Sequence, residues 1–138
     1  LEVYASGWGI AARAQEAIHV DPDDTNAREL LDGVEGQIVR LTSQMVAEAS
    51  RKGNAIARGV IGQAEKALVA GIASLINVYN PSRLILGGGV IEGIPELMTA
   101  IQIGVPGSAL RSATEHLTIL KAKLGQEAGI IGAASALF

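Results

Sequence analysis

The sequence predicts an α/β domain in which several helices precede a small parallel sheet. After the leading helices the order is strand, helix, strand, helix, an alternation that favours parallel strands covered by helices. Residues 84–86 are a short apolar run typical of a buried strand, and residues 117–120 alternate enough to predict a second strand. The length of 138 residues fits one domain with one core. Because two strands alone leave open edges, we expect strands upstream of Leu1 to complete the sheet.

Composition sets the character of the core. Apolar residues make up 49% of the chain and aromatic residues only 3%, so the core must be built from Ala, Val, Ile and Leu. The 17 glycines show no fixed period, which excludes collagen-like and low-complexity chains. We therefore interpret them as turns and close helix contacts.

Charge and residue usage exclude several function classes for this segment. Eleven Lys and Arg against 14 Asp and Glu give a net charge of -3, which does not fit a nucleic-acid partner. Cysteine is absent, so thiol catalysis and Cys-based zinc sites are excluded here. His19 and His116 are too far apart for ligand spacing, and we expect both on the surface.

No targeting or membrane segment is predicted. The opening residues lack the basic start and apolar stretch of a secretory signal. The most apolar run, residues 67–78, is shorter than the about 20 residues that cross a bilayer, so it predicts a buried helix. A start at Leu1 without Met suggests that the chain is cut from a longer protein.

Two helices are predicted first. Apolar and small residues with helical spacing predict a helix over residues 6–18, and Pro22 prevents its continuation. Thr25 is the predicted cap of a short helix that ends near Leu31.

Two longer helices follow. Thr42 is expected to cap a helix that ends at Gly53, and Asn54 begins the next helix, which runs to about Tyr79. Residues 68–78 are apolar nearly all round, which predicts burial on several sides. The joint at Gly53 is shorter than the turn of about 3–4 residues in a DNA-reading helix-turn-helix, so we interpret it as a helical hairpin or kink.

The second half of the chain carries the α/β pattern. Pro95 suits the first position of a helix that runs to about Ile103. Residues 104–108 are predicted as a loop and residues 117–120 as the second strand. A helix of small residues is predicted over 127–137.

Gly87, Gly88 and Gly89 follow the first strand directly and precede a helix. This arrangement lets a backbone approach a ligand without an intervening Cβ, and a nucleotide is the obvious candidate. A purely structural strand-to-helix turn explains the pattern equally well. The dinucleotide fingerprint fails because Glu92 stands where its third glycine belongs, and no Walker A sequence occurs.

Three segments together resemble the ROK family of repressors, open reading frames and kinases. The opening LEVYASG is similar to the family segment that follows its zinc loop, and residues 80–90 are similar to its adenosine-side strand and turn. Residues 126–134 resemble its final helix. The order and spacing agree across the whole chain.

The resemblance implies a two-lobed, actin-like ATPase fold related to ribonuclease H, with sugar and ATP in the cleft. Residues 1–138 would form the latter part of the C-terminal lobe. Glu2 matches the glutamate that hydrogen-bonds the sugar, and Gly87, Gly88 and Gly89 match the turn near the adenosine of ATP. Without the resemblance, Glu2 would be interpreted as a solvated terminal residue.

The remaining parts of the family's machinery would lie upstream of Leu1. They are the catalytic aspartate, both phosphate loops and the His and Cys ligands of a structural zinc. ATP and Mg²⁺ are the implied cofactors. We therefore expect this segment alone to be inactive, and we assign no catalytic residue or metal ligand to it.

The leading hypothesis is a cytoplasmic, glucokinase-like enzyme that transfers the ATP γ-phosphate to a hexose hydroxyl. The alternative is a sugar-sensing ROK transcriptional repressor with a separate DNA-binding domain, and a third is a helical interaction module without a ligand. Expected partners are the sugar, ATP, the N-terminal half of the same protein and, in some family members, a second copy. Glucose, fructose and N-acetylmannosamine remain open as substrates.

Overall fold

The structure is a computed structural model that describes residues 1–125 together with Gly132 and Ser135. The predicted helix over 127–137 thus lies outside the continuously described part of the chain. The elements are α1 (Glu2–Ala5), α2 (Gly7–Val20), α3 (Thr25–Asp32), a 3₁₀ turn (Ile38–Arg40), α4 (Ser43–Lys52), α5 (Ala55–Tyr79), β1 (Arg83–Leu86), α6 (Gly89–Gly93), α7 (Pro95–Ser108), α8 (Arg111–Thr114) and β2 (Thr118–Lys121).

The chain opens with a sharp corner between two helices. The Ser6 hydroxyl accepts a hydrogen bond from the Gly9 backbone N–H at 2.9 Å and so caps α2. A Cβ on Gly9 would overlap the carbonyl oxygen of Val3, so glycine is what lets α1 pack against α2. The first helix was predicted from residue 6 onward, and α1 was missed because four residues are too few to show a period.

The cap of α3 is Asp24, so the prediction of Thr25 was wrong by one position. The Asp24 carboxylate accepts from the backbone N–H groups of Asn26 and Ala27 at 2.8 and 3.3 Å. A carboxylate at a helix start is also favoured by the helix dipole. Hydrogen bonding from the Asn26 side chain and backbone lowers the pKa of Asp24.

The joint between α4 and α5 confirms the predicted caps. The Thr42 hydroxyl accepts from Met45 N, and Gly53 ends α4 with a left-handed φ of 107°. Asn54 is 2% exposed and caps α5 by accepting from Ala57 N at 3.0 Å. The two helices pack against each other as a hairpin.

Helix α5 is the centre of the molecule, where it packs against α1, α2, α4 and α7. Burial on several sides was predicted for residues 68–78, and only one side is buried: Ile72 and Ile76 lie in the core, whereas Leu75 and Val78 are 49% and 74% exposed. Among the described helices it alone has the length and apolar composition of a membrane span. Core helices of soluble proteins share those properties, so this is weak evidence for a membrane.

Helix α7 starts at Pro95 as predicted but continues to Ser108, so the predicted loop over residues 104–108 was wrong. Ile101 and Val105 are fully buried and hold this stretch on the core. Their burial offsets the backbone hydrogen bond that Pro106 cannot donate. A Cβ on Gly104 would lie 2.9 Å from Val69 Cγ2 of α5, so the crossing of α5 and α7 needs this glycine.

Strands β1 and β2 pair in parallel, with Leu84 opposite Ile119 and Ile85 opposite Leu120. The second strand was predicted one residue too early. Leu84 and Ile119 pack against the helical core. On the other face Ile85 and Leu120 are 60% and 41% exposed, so the described residues cover one face of the sheet.

Candidate functional site

The glycine turn begins at the end of β1, where β1 is still hydrogen-bonded to the chain that leaves β2. The backbone N–H of Ala122 donates to the carbonyl of Leu86 at 2.7 Å, just beyond the paired residues. A Cβ on Gly87 would lie 2.9 Å from the Ala122 Cβ. Glycine is therefore required at position 87 by the distance between the strand ends.

Gly88 and Gly89 differ in whether the local structure requires a glycine. Gly88 has φ 108° and ψ 161°, a conformation that is essentially restricted to glycine. Gly89 is the first residue of α6, and a Cβ there would meet nothing within 4 Å. Neither packing nor backbone conformation demands glycine at position 89, so the turn leaves an open stretch of backbone beside the sheet.

A cavity of about 270 Å³ lies against this open backbone. All three glycines line it, together with Ala5 of α1, Leu68 of α5 and Ile101 of α7. Its walls are apolar, and it lies at the carboxyl end of β1, where ligands bind in α/β proteins. The cavity suits a flat or apolar ligand surface.

Glu2 lies at the start of α1, whose other end contributes Ala5 to this cavity. Its side chain is exposed, and the structure shows no hydrogen bond or ion pair between it and any described residue. Glu2 does not itself line the cavity. The fold thus brings the Glu2 segment to the glycine turn and leaves the carboxylate free to accept hydrogen bonds.

A larger groove of about 570 Å³ runs between α5 and α7, away from the glycine turn. Glu65, Lys66 and Asn77 are among its polar lining residues, with Ser74 and Ser108. Burial raises the pKa of Glu65, and the negative charge of Glu96 adds to this shift. The groove shares none of its lining with the glycine-turn cavity.

The described residues offer no cluster of three or more His, Cys, Asp or Glu that could hold a metal ion. His19 and His116 are both exposed, as predicted. This part of the chain therefore does not fit the structural zinc that the family resemblance implies.

Sequence reasoning treated Glu92 only as a break in the dinucleotide pattern and did not predict it as a site residue. Glu92 lies in α6, three residues after Gly89. Its Oε1 atom is buried and has no hydrogen-bond partner among the described residues. The available signal was its position on the short helix that follows the glycine turn.

Comparison with known proteins matches this chain to one family along its whole length. The sequence pattern of the ROK family matches residues 1–138. A glucokinase of Halalkalibacterium halodurans is 30% identical over 132 residues, which cover 96% of this chain and 38% of that protein. The DNA-binding transcriptional dual regulator NagC of Escherichia coli is 27% identical over 89 residues, or 64% of this chain and 22% of that protein.

A solved structure agrees with the sequence match. The ROK family glucokinase from Streptomyces griseus in complex with glucose and AMPPNP superposes with a TM-score of 0.78 at 28% identity, over 96% of this chain and 42% of that one. The predicted α/β class, part of an actin-like ATPase fold, is thereby confirmed. The chain spans 38% and 42% of the lengths of the two glucokinases.

Proposed function

We propose an activity from the premise that this chain belongs to the ROK family. The protein that carries the chain would be an ATP-dependent sugar kinase. It would transfer the γ-phosphate of ATP to a hexose hydroxyl, as a glucokinase does. Residues 1–138 would form the latter part of its C-terminal lobe. Two glucokinases that match over 96% of the chain support this assignment.

The observation that carries the proposal is the open backbone at Gly89 beside the apolar cavity. A structural turn accounts for Gly87 and Gly88, and Gly89 adds backbone that no side chain covers and that lines the cavity. A ligand surface can pack closely against such backbone. We propose that the adenosine part of ATP lies here, with Gly87, Gly88 and Gly89 as its contact.

The sugar would be contacted by Glu2. A carboxylate can accept from two hydroxyls at once, and such charge-assisted hydrogen bonds are among the stronger ones. Because Glu2 is exposed and has no partner among the described residues, its oxygens are available to a substrate. Helix α1 connects this carboxylate to the nucleotide cavity through Ala5.

This chain would bind and orient the two substrates, while other parts of the protein do the chemistry. Phosphoryl transfer depends on positioning and on neutralising the charge of the phosphates, a task in which Mg²⁺ assists. The described residues hold no ligand cluster for Mg²⁺ or zinc. On the family resemblance, we propose that the base, the phosphate loops and the metal ligands come from the segment that precedes these residues in the family.

A sugar-sensing repressor is the second candidate, and the match to NagC favours it specifically. In that case the Glu2 site would still bind sugar, and a separate domain would bind DNA. The net charge of -3 does not favour DNA binding by this segment itself. A cytoplasmic location and a homodimer also remain predictions, the former because a kinase needs the ATP supply of the cell.

A coupled phosphorylation assay tests the proposal on the polypeptide that carries this chain. Glucose, fructose and N-acetylmannosamine are supplied in turn with ATP and Mg²⁺, and omission of the sugar gives the background. We expect sugar-dependent ADP release with at least one of them. No turnover with any sugar, together with sugar-dependent DNA binding, would favour the repressor instead.

A further inference from the structure

Glu92 carries an acceptor that the described structure does not use. Its Oε1 atom is buried and without a hydrogen-bond partner among the described residues, although the side chain as a whole is partly exposed. The salt bridges found within the described part of the chain do not include it. An unsatisfied buried carboxylate oxygen is costly, and such groups in native proteins call for an explanation.

The Glu92 carboxylate lies near the carboxyl ends of both β1 and β2. Glu92 follows the glycine turn that leaves the carboxyl end of β1. Gly125 lies beyond the carboxyl end of β2, and a Cβ there would lie 3.3 Å from Glu92 Oε1 and 3.6 Å from Oε2. Gly125 also has a left-handed φ of 52°. The carboxylate therefore lies near the carboxyl ends of both strands, where α/β proteins bind ligands.

We infer that Glu92 is a ligand contact that accepts a hydrogen bond from a hydroxyl of the bound nucleotide's ribose. The inference rests on the proposed function, because it takes the glycine turn as the nucleotide site. A ribose and a hexose both offer hydroxyl donors to a carboxylate. The ribose is favoured because Glu92 is on the helix that begins in the glycine turn, whereas Glu2 is on α1. Carboxylates bind ribose hydroxyls in the same way in dinucleotide-binding folds.

Calorimetry with ADP, 2′-deoxy-ADP and 3′-deoxy-ADP tests this on the polypeptide that carries the chain. The wild-type protein should bind one deoxy analogue about tenfold more weakly than ADP, the usual effect of leaving a charged acceptor unpaired. Glu92→Gln should weaken ADP binding by a similar factor and reduce the discrimination against that analogue. Glu115→Gln, which removes the same charge at an exposed site before the amino end of β2, should leave all three affinities unchanged.

The outcomes separate the inference from the proposed function. Failure of the wild-type protein to bind ADP at millimolar concentration would reject the nucleotide site itself. If ADP binds and Glu92→Gln changes neither its affinity nor the discrimination, the ribose contact is rejected while the kinase proposal stands. If Glu92→Gln weakens glucose binding and leaves ADP binding unchanged, the ribose assignment is also wrong.

A second variant keeps the test valid if Glu92→Gln does not fold, which thermal unfolding would reveal. Gly125→Ala places a methyl group against the carboxylate without removing it. We expect it to reduce the discrimination between ADP and the deoxy analogue in the same direction. Unchanged discrimination in a folded Gly125→Ala protein would overturn the inference.

Discussion

Gly88 has a backbone conformation that favours glycine, and it is also part of the proposed nucleotide contact. The φ of 108° penalises any L side chain, and a branched residue also restricts the space for a ligand. We expect Gly88→Val to weaken ADP binding in the polypeptide that carries this chain by at least about tenfold, measured by calorimetry.

The matched control is Gly59→Val, because Gly59 is exposed on α5 and a Cβ there meets nothing within 4 Å. Its nucleotide affinity should equal that of the wild-type protein. If Gly88→Val folds and binds ADP normally, the glycine turn is only a structural turn.

Glu2→Gln tests the proposed sugar contact. The substitution keeps the shape but turns one acceptor into a donor, which costs about 1–3 kcal/mol in a desolvated contact. The sugar affinity should therefore fall by about tenfold or more, measured as KM and by direct titration. ATP affinity without sugar should barely change, because Glu2 is on α1, whereas the proposed adenosine contact is the glycine turn that precedes α6. Unchanged sugar KM and kcat would show that Glu2 is a solvated residue.

On the scale of elements, the Asn54 side chain connects α5 to α3. It caps α5, and its side-chain amide donates to the Asn26 carbonyl at 2.9 Å and to Glu29 Oε2 at 2.8 Å, both on α3. Asn54→Ala removes the cap and both hydrogen bonds to α3, so the free energy of unfolding should fall by about 2–4 kcal/mol.

Denaturant unfolding measures this loss, and Thr42→Ala provides the comparison. Thr42 caps α4 through one exposed hydrogen bond, so its loss should cost only about 1 kcal/mol. Equal losses in the two variants would mean that the contacts between Asn54 and α3 add nothing to stability.

The crossing of α5 and α7 depends on Gly104. A methyl group at this position would lie 2.9 Å from Val69 Cγ2 and 3.1 Å from its Cγ1, so Gly104→Ala should destabilise by about 1–3 kcal/mol. Gly107→Ala in the same helix meets nothing within 4 Å and should be neutral or stabilising.

Thermal unfolding of the two alanine variants distinguishes packing from helix propensity. Adding Val69→Ala to Gly104→Ala should restore part of the lost stability, because it removes the side chain that the new methyl group meets. A lower Tm for Gly107→Ala than for Gly104→Ala would contradict the proposed contact.

For the whole molecule, we expect the 138-residue chain alone to show no ATP-dependent sugar phosphorylation. The groups that perform the chemistry in the family would precede Leu1, and this chain spans only 38% and 42% of the two glucokinases. A coupled assay on pure material measures this directly. Sugar-dependent turnover above background would show that the catalytic groups lie within these residues.

Local patterns were sufficient to predict much of the fold. Thr42, Gly53 and Asn54 marked their helix ends correctly, since caps and left-handed glycines depend on the nearest residues alone. The order of strands and helices predicted the parallel pairing of β1 and β2. Caps with two adjacent candidates were less certain, as Asp24 and Thr25 show.

Long-range packing decided what local patterns could not. Residues 104–108 contain two glycines and a proline, which locally predict a loop, yet the burial of Val105 keeps them helical. The exposed end of α5 reflects which faces the other elements reach, a property of the assembled chain.

The candidate site likewise has features that the sequence predicts and features that depend on packing. The sequence by itself determined the glycine turn, the position of Glu2 and, through residues that match in order and spacing, the family. Only the tertiary structure brought α1 to the cavity beside Gly89 and placed Glu92 against Gly125. These contacts join residues distant in the chain, and such proximity is set by how the helices and strands pack rather than by any local pattern.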